Sequence, residues 1–149
     1  MNNCDHATSS TQLINMAKRL KIKNFRGVYS KDLLSSIINP KPGCYIINME
    51  DSVDKNGKAL GGSHWTSLEI NPNGIYYFDS FGVVYPLDVG NFCHKLFPNQ
   101  TIHYNKKDFQ NLESTCCGQF CLYFLKYGFK DLTDNYSKTL NNDKIVLIN

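Results

Sequence analysis

The chain has 149 residues, of which 42% are hydrophobic and 13% aromatic, and it carries a net charge of +3 at pH 7. The length predicts a single domain, residues 1–149, and the composition is sufficient for one sizeable core. The mild charge does not indicate a nucleic-acid-binding protein. No apolar run approaches the roughly 18 residues of a membrane-crossing helix, and the polar N-terminus lacks a signal-peptide pattern, so we expect a soluble protein that is not secreted.

The cysteines and histidines are arranged poorly for disulfides or for a metal site. Three cysteines crowd into one predicted helix, where disulfide geometry is poor, so we expect reduced thiols and an intracellular compartment. No C-x-x-C pair is present and the histidines are dispersed, which argues against a zinc site. The residues concerned are Cys4, Cys44, Cys93, Cys116, Cys117, Cys121, His6, His64, His94 and His103.

Two small basic clusters are candidates for a surface that binds polyanions. One contains five basic residues between Lys18 and Arg26, and the other is the pair Lys106 and Lys107. The simpler interpretation is a solvated helix end with the loop that follows it, and a polyanion-binding surface is the alternative.

The N-terminal part of the chain predicts two helices followed by a strand. Ser9 or Ser10 can cap a first helix, whose apolar residues follow the helical period. After a link over residues 24–29, a second short helix is expected from about Ser30. Residues 44–49 have the composition of a buried strand, and the charged segment that follows predicts a surface loop.

A predicted β-hairpin brings His64 and Asp79 to the same end of a sheet. Two strand-like runs flank the turn tetrapeptide Asn71–Gly74. If these four residues form the whole loop, Ile70 lies opposite Ile75, and His64 lies diagonal to Asp79 on one face. Diagonal neighbours are roughly 7 to 8 Å apart at the backbone, a gap that an imidazole and a carboxylate can bridge.

Beyond the hairpin, the chain predicts three less regular elements. Apolar residues between positions 87 and 97 indicate an irregular helix that stops before Pro98. A strand is expected over residues 101–104, and the apolar residues 145–148 predict a final strand or a docked end.

Cys117 is predicted to lie in the first turn of a buried helix. The run Cys117–Tyr127 is apolar at nearly every position, Ser114 or Thr115 can cap it, and Gly128 can end it in the left-handed conformation. Unpaired N–H groups and the positive end of the helix dipole favour a thiolate at such a position. The alternative is that Cys117 is one more small apolar residue of the core.

Four residues have the types that thiol-based acyl transfer requires. A cysteine nucleophile needs an imidazole to take its proton, a third group to orient that imidazole, and donors for the oxyanion. Cys117, His64 and Asp79 fit the first three roles, and Gln110, in the loop before the helix, can contribute to an oxyanion hole. Gly118 leaves room for substrate beside the nucleophile. Taken singly, each residue also has an ordinary structural explanation.

Several short motifs occur in a fixed order around these four residues. They are Gly61-Gly62-Ser63-His64-Trp65, Asn71-Pro72, Tyr77-Phe78-Asp79-Ser80-Phe81-Gly82, Gln110 and Ser114-x-x-Cys117-Gly118-x-Phe120-Cys121. This combination resembles adenain, the maturation protease of adenoviruses, within the wider group of ubiquitin-like-protein proteases. The likeness covers roughly residues 12–130.

The resemblance implies Cys117 as nucleophile, His64 as general base, Asp79 as the orienting acid and Gln110 as oxyanion donor. Adenain has a glutamate in place of the aspartate, a chemically equivalent group. As substrate-binding residues we name Trp65 and Gly62. The implied fold is α+β, with a central mixed or antiparallel sheet, the nucleophile at the N-terminus of a buried helix, and a papain-like or adenain-like cysteine protease architecture.

The resulting functional hypothesis is a cysteine endopeptidase that processes viral capsid or core precursors, cutting at Gly-Gly-type sites. One alternative is an isopeptidase of the deSUMOylating or deubiquitinating type, because SUMO and ubiquitin tails also end in Gly-Gly. The other is a non-catalytic binding module that keeps the fold.

The remaining expectations concern cofactors, partners and location. We expect no required cofactor and no metal, a monomer that acts on polypeptide substrates, and no membrane partner. Adenain is stimulated by DNA and by a viral peptide attached through a cysteine. The region near Pro98 has no cysteine, and Cys93 is only an approximate substitute for the attachment point. Stimulation by DNA or by a viral peptide is therefore kept as the alternative, and the DNA effect depends on the basic clusters alone. The expected location is the virion and the host cell interior, cytoplasm or nucleus.

Overall fold

A computed structural model describes residues 8–50, 55–56, 64–106 and 117–134 of the chain, the last six by backbone alone. Within these ranges, helices pack on a five-stranded mixed sheet of order β1-β2-β3-β4-β5, which confirms the predicted α+β class with a mixed sheet. The elements are α1 (Ser10–Arg19), β1 (Phe25–Ser30), a 3-10 helix (Lys31–Ser36), β2 (Gly43–Asn48), β3 (Trp65–Asn71), β4 (Gly74–Phe78), α2 (Leu87–Leu96), β5 (Ile102–Tyr104) and α3 (Cys117–Asp134).

The sheet is covered on both faces, and β2 shows why. Every residue of β2 is buried, and its side chains alternate between two apolar clusters. Ile46 packs with α1 and α3, whereas Tyr45 and Ile47 pack with α2 and the 3-10 helix. A strand that is buried on both faces has no polar side to alternate with, which explains its continuous apolar sequence.

The first helix begins as the sequence predicts. Ser9 is the cap: its hydroxyl accepts a hydrogen bond from the Gln12 amide at 3.2 Å, and the Gln12 side chain accepts one from the Ser9 amide at 2.8 Å. This reciprocal pair is a capping box, which satisfies two of the donors that a helix start leaves unpaired. The second predicted helix is a short 3-10 helix rather than an α-helix.

The link predicted over residues 24–29 is wrong, because most of it forms strand β1. β1 pairs parallel with β2 and contains an irregularity between Phe25 and Gly27, where Gly27 has φ of +127°. At Gly43, φ is +149° and a Cβ would overlap the Asn24 carbonyl oxygen, so only glycine fits this close approach. A strand interrupted by a bulge and a glycine does not show the alternation by which strands are recognised.

The hairpin has the predicted register. Ile70 lies opposite Ile75, and Ser67 lies opposite Phe78. The Asn71 side chain accepts a hydrogen bond from the Asn73 amide at 2.9 Å, which fixes the turn in the way typical of asparagine.

The last two predicted helices are both present, with different ends. The helix before Pro98 is the regular α2, which starts on Pro86 as its N-cap. In α3, Gly128 has φ of +84° and breaks the helix that carries Cys117 at the predicted residue, and a second helical stretch continues to Asp134. The predicted caps Ser114 and Thr115 and the predicted element at 145–148 lie outside the described residues.

In the part of the chain that the structure describes, no helix combines the length and the apolar composition needed to cross a bilayer.

Candidate active site

His64 and Asp79 are joined by a direct hydrogen bond at one end of the sheet. His64 immediately precedes β3, and Asp79 immediately follows β4. Because these strands are antiparallel neighbours, both residues lie at the same end of the sheet. His64 Nε2 lies 2.8 Å from Asp79 Oδ1. The carboxylate side chain is 4% exposed and the imidazole 20% exposed, so the pair is largely shielded from water.

Asp79 is held by hydrogen bonds on three sides. Its Oδ1 also accepts from the Phe81 amide at 2.9 Å, its own amide donates to Asn105 Oδ1 at 2.9 Å, and its carbonyl accepts from Asn105 Nδ2. A buried carboxylate without such partners would be costly. Hydrogen bonds that do not involve His64 therefore fix the orientation of Asp79.

Cys117, the first described residue of α3, forms a side-chain hydrogen bond with the His64 imidazole. Burial alone would lower the pKa of His64, but hydrogen bonds and charge interactions with Asp79 and Cys117 outweigh it and raise the pKa to about 9. Since Asp79 takes Nε2, the nitrogen left for Cys117 is Nδ1. The geometry thus brings three of the four predicted catalytic side chains together.

This arrangement can support a thiolate paired with an imidazolium. Hydrogen bonds and charge interactions with Asp79 and Cys117 raise the pKa of the neighbouring imidazole, so the site favours the imidazolium. Such a pair can attack an electrophilic carbonyl carbon without first waiting for a base to act.

Three predicted residues lie outside the described part of the chain: the oxyanion donor Gln110, the substrate-binding Gly62, and Cys116, the neighbour of the nucleophile. Their roles stay predictions. Trp65 is buried, and its indole N–H donates to the Thr8 carbonyl oxygen at 2.9 Å. Substrate contact by Trp65 likewise stays a prediction.

Thr8 connects the two halves of the site, which the sequence did not suggest. Besides accepting from Trp65, it accepts a hydrogen bond at its Oγ1 from Gln119 Nε2 at 3.0 Å. Trp65 follows His64 in the chain and Gln119 lies two residues after Cys117. One N-terminal residue therefore ties the start of β3 to the start of α3.

The space beside Gly118 is filled by protein. A Cβ at this position would lie 2.8 Å from Leu13 Cδ2 and 3.5 Å from Trp65 Cδ1. The suggestion that Gly118 leaves room for substrate is therefore wrong: the glycine allows α1 to approach the first turn of α3.

We expect Gly118→Ala to destabilise the protein by about 1 to 2 kcal/mol, since overpacking against the fully buried Leu13 exceeds the gain in helix propensity. Urea denaturation measures the change. Gly90→Ala in α2 is the matched control: its Cβ would meet Tyr85 at 3.4 Å, an ordinary contact, so this variant should be neutral or slightly stabilised. Equal stability of the two variants would contradict the expected overpacking of Gly118→Ala against Leu13.

The raised pKa of His64 predicts a pH-dependent stability. A group whose pKa rises from 6.5 to about 9 on folding stabilises the protein fully below pH 6.5, and the contribution disappears as pH rises through 9. The stability difference between wild type and His64→Gln should therefore shrink, by up to about 3 kcal/mol, between pH 6 and pH 10. Urea titrations at each pH measure it, and parallel curves would contradict the expectation.

Among the described residues, no cluster of three or more His, Cys, Asp or Glu side chains is placed to hold a metal ion. The described cysteines Cys44, Cys93, Cys117 and Cys121 are free thiols.

The fold is that of a known protease. The crystal structure of ASFV pS273R protease matches with a TM-score of 0.55 and 15% sequence identity, over 97% of this chain and 66% of that one. A selenomethionine crystal structure of the same protease matches with a TM-score of 0.50 and 13% identity, over 92% and 62%. The chain thus spans less than two thirds of the length of these proteins. At this identity the likeness establishes a shared fold.

No protein-family model matches the chain, and no curated protein matches it in sequence. The structural likeness carries the fold alone, and the adenovirus-type assignment stays a prediction.

Proposed function

We propose that the chain is a cysteine endopeptidase in which Cys117 is the nucleophile, His64 the general base and Asp79 the group that orients it. The observation that carries the proposal is the His64–Asp79 hydrogen bond of 2.8 Å beside a thiol at a helix N-terminus. Nucleophile, base and orienting acid in this order are the requirement for thiol-based acyl transfer.

In the proposed mechanism, His64 holds the proton of Cys117, and the thiolate sulfur attacks the peptide carbonyl carbon. Backbone N–H groups at the start of α3, with Gln110, hold the oxyanion. His64 passes its proton to the leaving amine as the C–N bond breaks, which leaves a thioester. Water, deprotonated by His64, then attacks the thioester and releases the acid and the thiol.

The proposed substrates are viral structural precursors cut at Gly-Gly-type sites. Two findings support this class: the motif resemblance to adenain, and the fold shared with ASFV pS273R protease. From the resemblance to adenain we also propose that the protein is a monomer that works inside the host cell and the virion. In this proposal Trp65 and Gly62 contact the substrate. Stimulation by DNA is part of the proposal, and binding of a metal is not.

Cleavage of a peptide library tests this function. Fluorogenic peptides with Gly-Gly and Gly-x-Gly at the scissile bond are incubated with wild type and Cys117→Ala, with and without DNA. We expect cleavage after glycine by wild type alone. Cleavage of SUMO or ubiquitin conjugates without cleavage of the peptides would instead identify an isopeptidase. A protein that cleaves neither substrate class would be a binding module.

A further inference from the structure

Phe81 contacts both members of the His64–Asp79 pair by different atoms. Its backbone amide donates to Asp79 Oδ1 at 2.9 Å, the same oxygen that lies 2.8 Å from His64 Nε2. Its ring stacks on the imidazole, with centroids 4.9 Å apart and planes inclined by 26°. One residue therefore fixes the direction of the carboxylate and covers the face of the base.

The local chain geometry explains how Phe81 reaches this place. The Asp79 side chain caps the turn by accepting from the amide two residues later, which is the usual behaviour of aspartate in tight turns. Gly82 closes the turn: its amide donates to the Asp79 carbonyl at 2.8 Å, and its φ is +74°. Gly82 thus has a conformation that favours glycine. The turn that it closes places the ring of Phe81 over His64.

We propose that Phe81 is a positioning residue of the candidate active site, whose ring holds the His64 imidazole in the plane that serves both Asp79 and Cys117 and stabilises its protonated form. The catalytic role of Phe81 rests on the proposed function. The effect of its ring on the protonation of His64 does not. A cation within about 6 Å of an aromatic centroid is attracted by the ring's negative face. An aliphatic side chain of similar size fills the space without that attraction.

Among the described residues, two further groups interact with the imidazole. They are the Asp79 carboxylate, from the end of β4, and the Cys117 thiol, from the start of α3. Both favour the imidazolium from the ring edge, whereas Phe81 acts on the ring face. Removing the aromatic ring alone therefore leaves both edge interactions in place.

Histidine titration by NMR in Phe81→Leu, Phe81→Tyr and wild type tests the inference, with the His64 signal assigned from His64→Gln. We expect Phe81→Leu to lower the midpoint of the His64 titration by about 0.5 pH unit, because leucine removes the cation–π contact with the imidazolium. Phe81→Tyr keeps the ring and should titrate like wild type. The signal of His103, which stacks on Tyr76 instead, should not move.

Phe97→Leu is the matched control, because Phe97 is also half-buried but packs with the cluster on the opposite face of the sheet. An unchanged His64 midpoint in Phe81→Leu would overturn the inference, as would equal shifts in Phe97→Leu or in Phe81→Tyr. A shift seen only in Phe81→Leu supports it even if no peptide is cleaved, so failure of the proposed function remains distinguishable. If peptides are cleaved, the alkaline limb of kcat/KM should move to lower pH in Phe81→Leu.

Discussion

Cys117→Ala is expected to abolish peptide cleavage, with a loss of at least about 10³-fold in kcat, because removal of a nucleophile leaves only binding and oxyanion stabilisation. The folded state should tolerate the change. Cys117 lies at the start of α3 and is replaced by a good helix former of slightly smaller volume, so we expect a stability loss of about 1 kcal/mol or less. Steady-state cleavage of a Gly-Gly peptide and urea denaturation measure the two effects.

Cys121→Ala is the matched control for this experiment. Cys121 lies on the same helix and is fully buried, and burial raises its pKa well above 9, so it is a core thiol. We expect this variant to keep its activity and to lose stability instead. Retained activity in Cys117→Ala would show that another cysteine, with Cys116 as the obvious rival, is the nucleophile.

Asp79→Asn is expected to lower kcat by about 10² to 10⁴-fold, since the neutral amide no longer orients the imidazole in its productive tautomer or stabilises its protonated form. A loss of stability should accompany it. Asp79 Oδ1 serves His64 and the Phe81 amide at once, and a hydrogen bond to a charged group contributes about 1.5 to 3 kcal/mol. The activity assay and urea denaturation report both losses.

Asp88→Asn provides the comparison. Asp88 is a half-exposed carboxylate, 3.7 Å from Lys31 Nζ, and a surface pair of this kind contributes little. We expect Asp88→Asn to change the free energy of unfolding by less than about 0.5 kcal/mol and to leave kcat unchanged. If Asp79→Asn behaved in the same way, Asp79 would be a turn residue without a part in catalysis.

The site could be predicted from the sequence where local rules decide the structure. The turn at Asn71–Gly74 sets the register of one hairpin, and that register alone brings His64 to Asp79. The helix that carries Cys117 follows from a long apolar run with a glycine at its break. In both cases the relevant contacts are close in sequence.

What the sequence did not predict depends on contacts between distant segments. Asn105 reaches Asp79 only because β5 pairs parallel with β4, and strand order is not encoded in either strand alone. Thr8 meets Trp65 and Gln119 across 57 and 111 residues of chain. Gly118 was assigned to the substrate side for the same reason, since nothing near it in sequence indicates that Leu13 fills the space.

The buried cysteines permit one direct test of the central claim, that Cys117 is activated by His64. Burial raises the pKa of Cys44 and of Cys93 to about 12 and raises that of Cys121 well above its ordinary value, so these thiols should be inert at neutral pH. Their inertness makes selective labelling informative.

The measurement is the rate of iodoacetamide labelling at pH 7, followed site by site with tandem mass spectrometry in wild type and His64→Ala. We predict that Cys117 reacts much faster than Cys44, Cys93 and Cys121, and that this advantage disappears in His64→Ala. Labelling of Cys117 no faster than the three core thiols, or at a rate that does not depend on His64, would contradict the account.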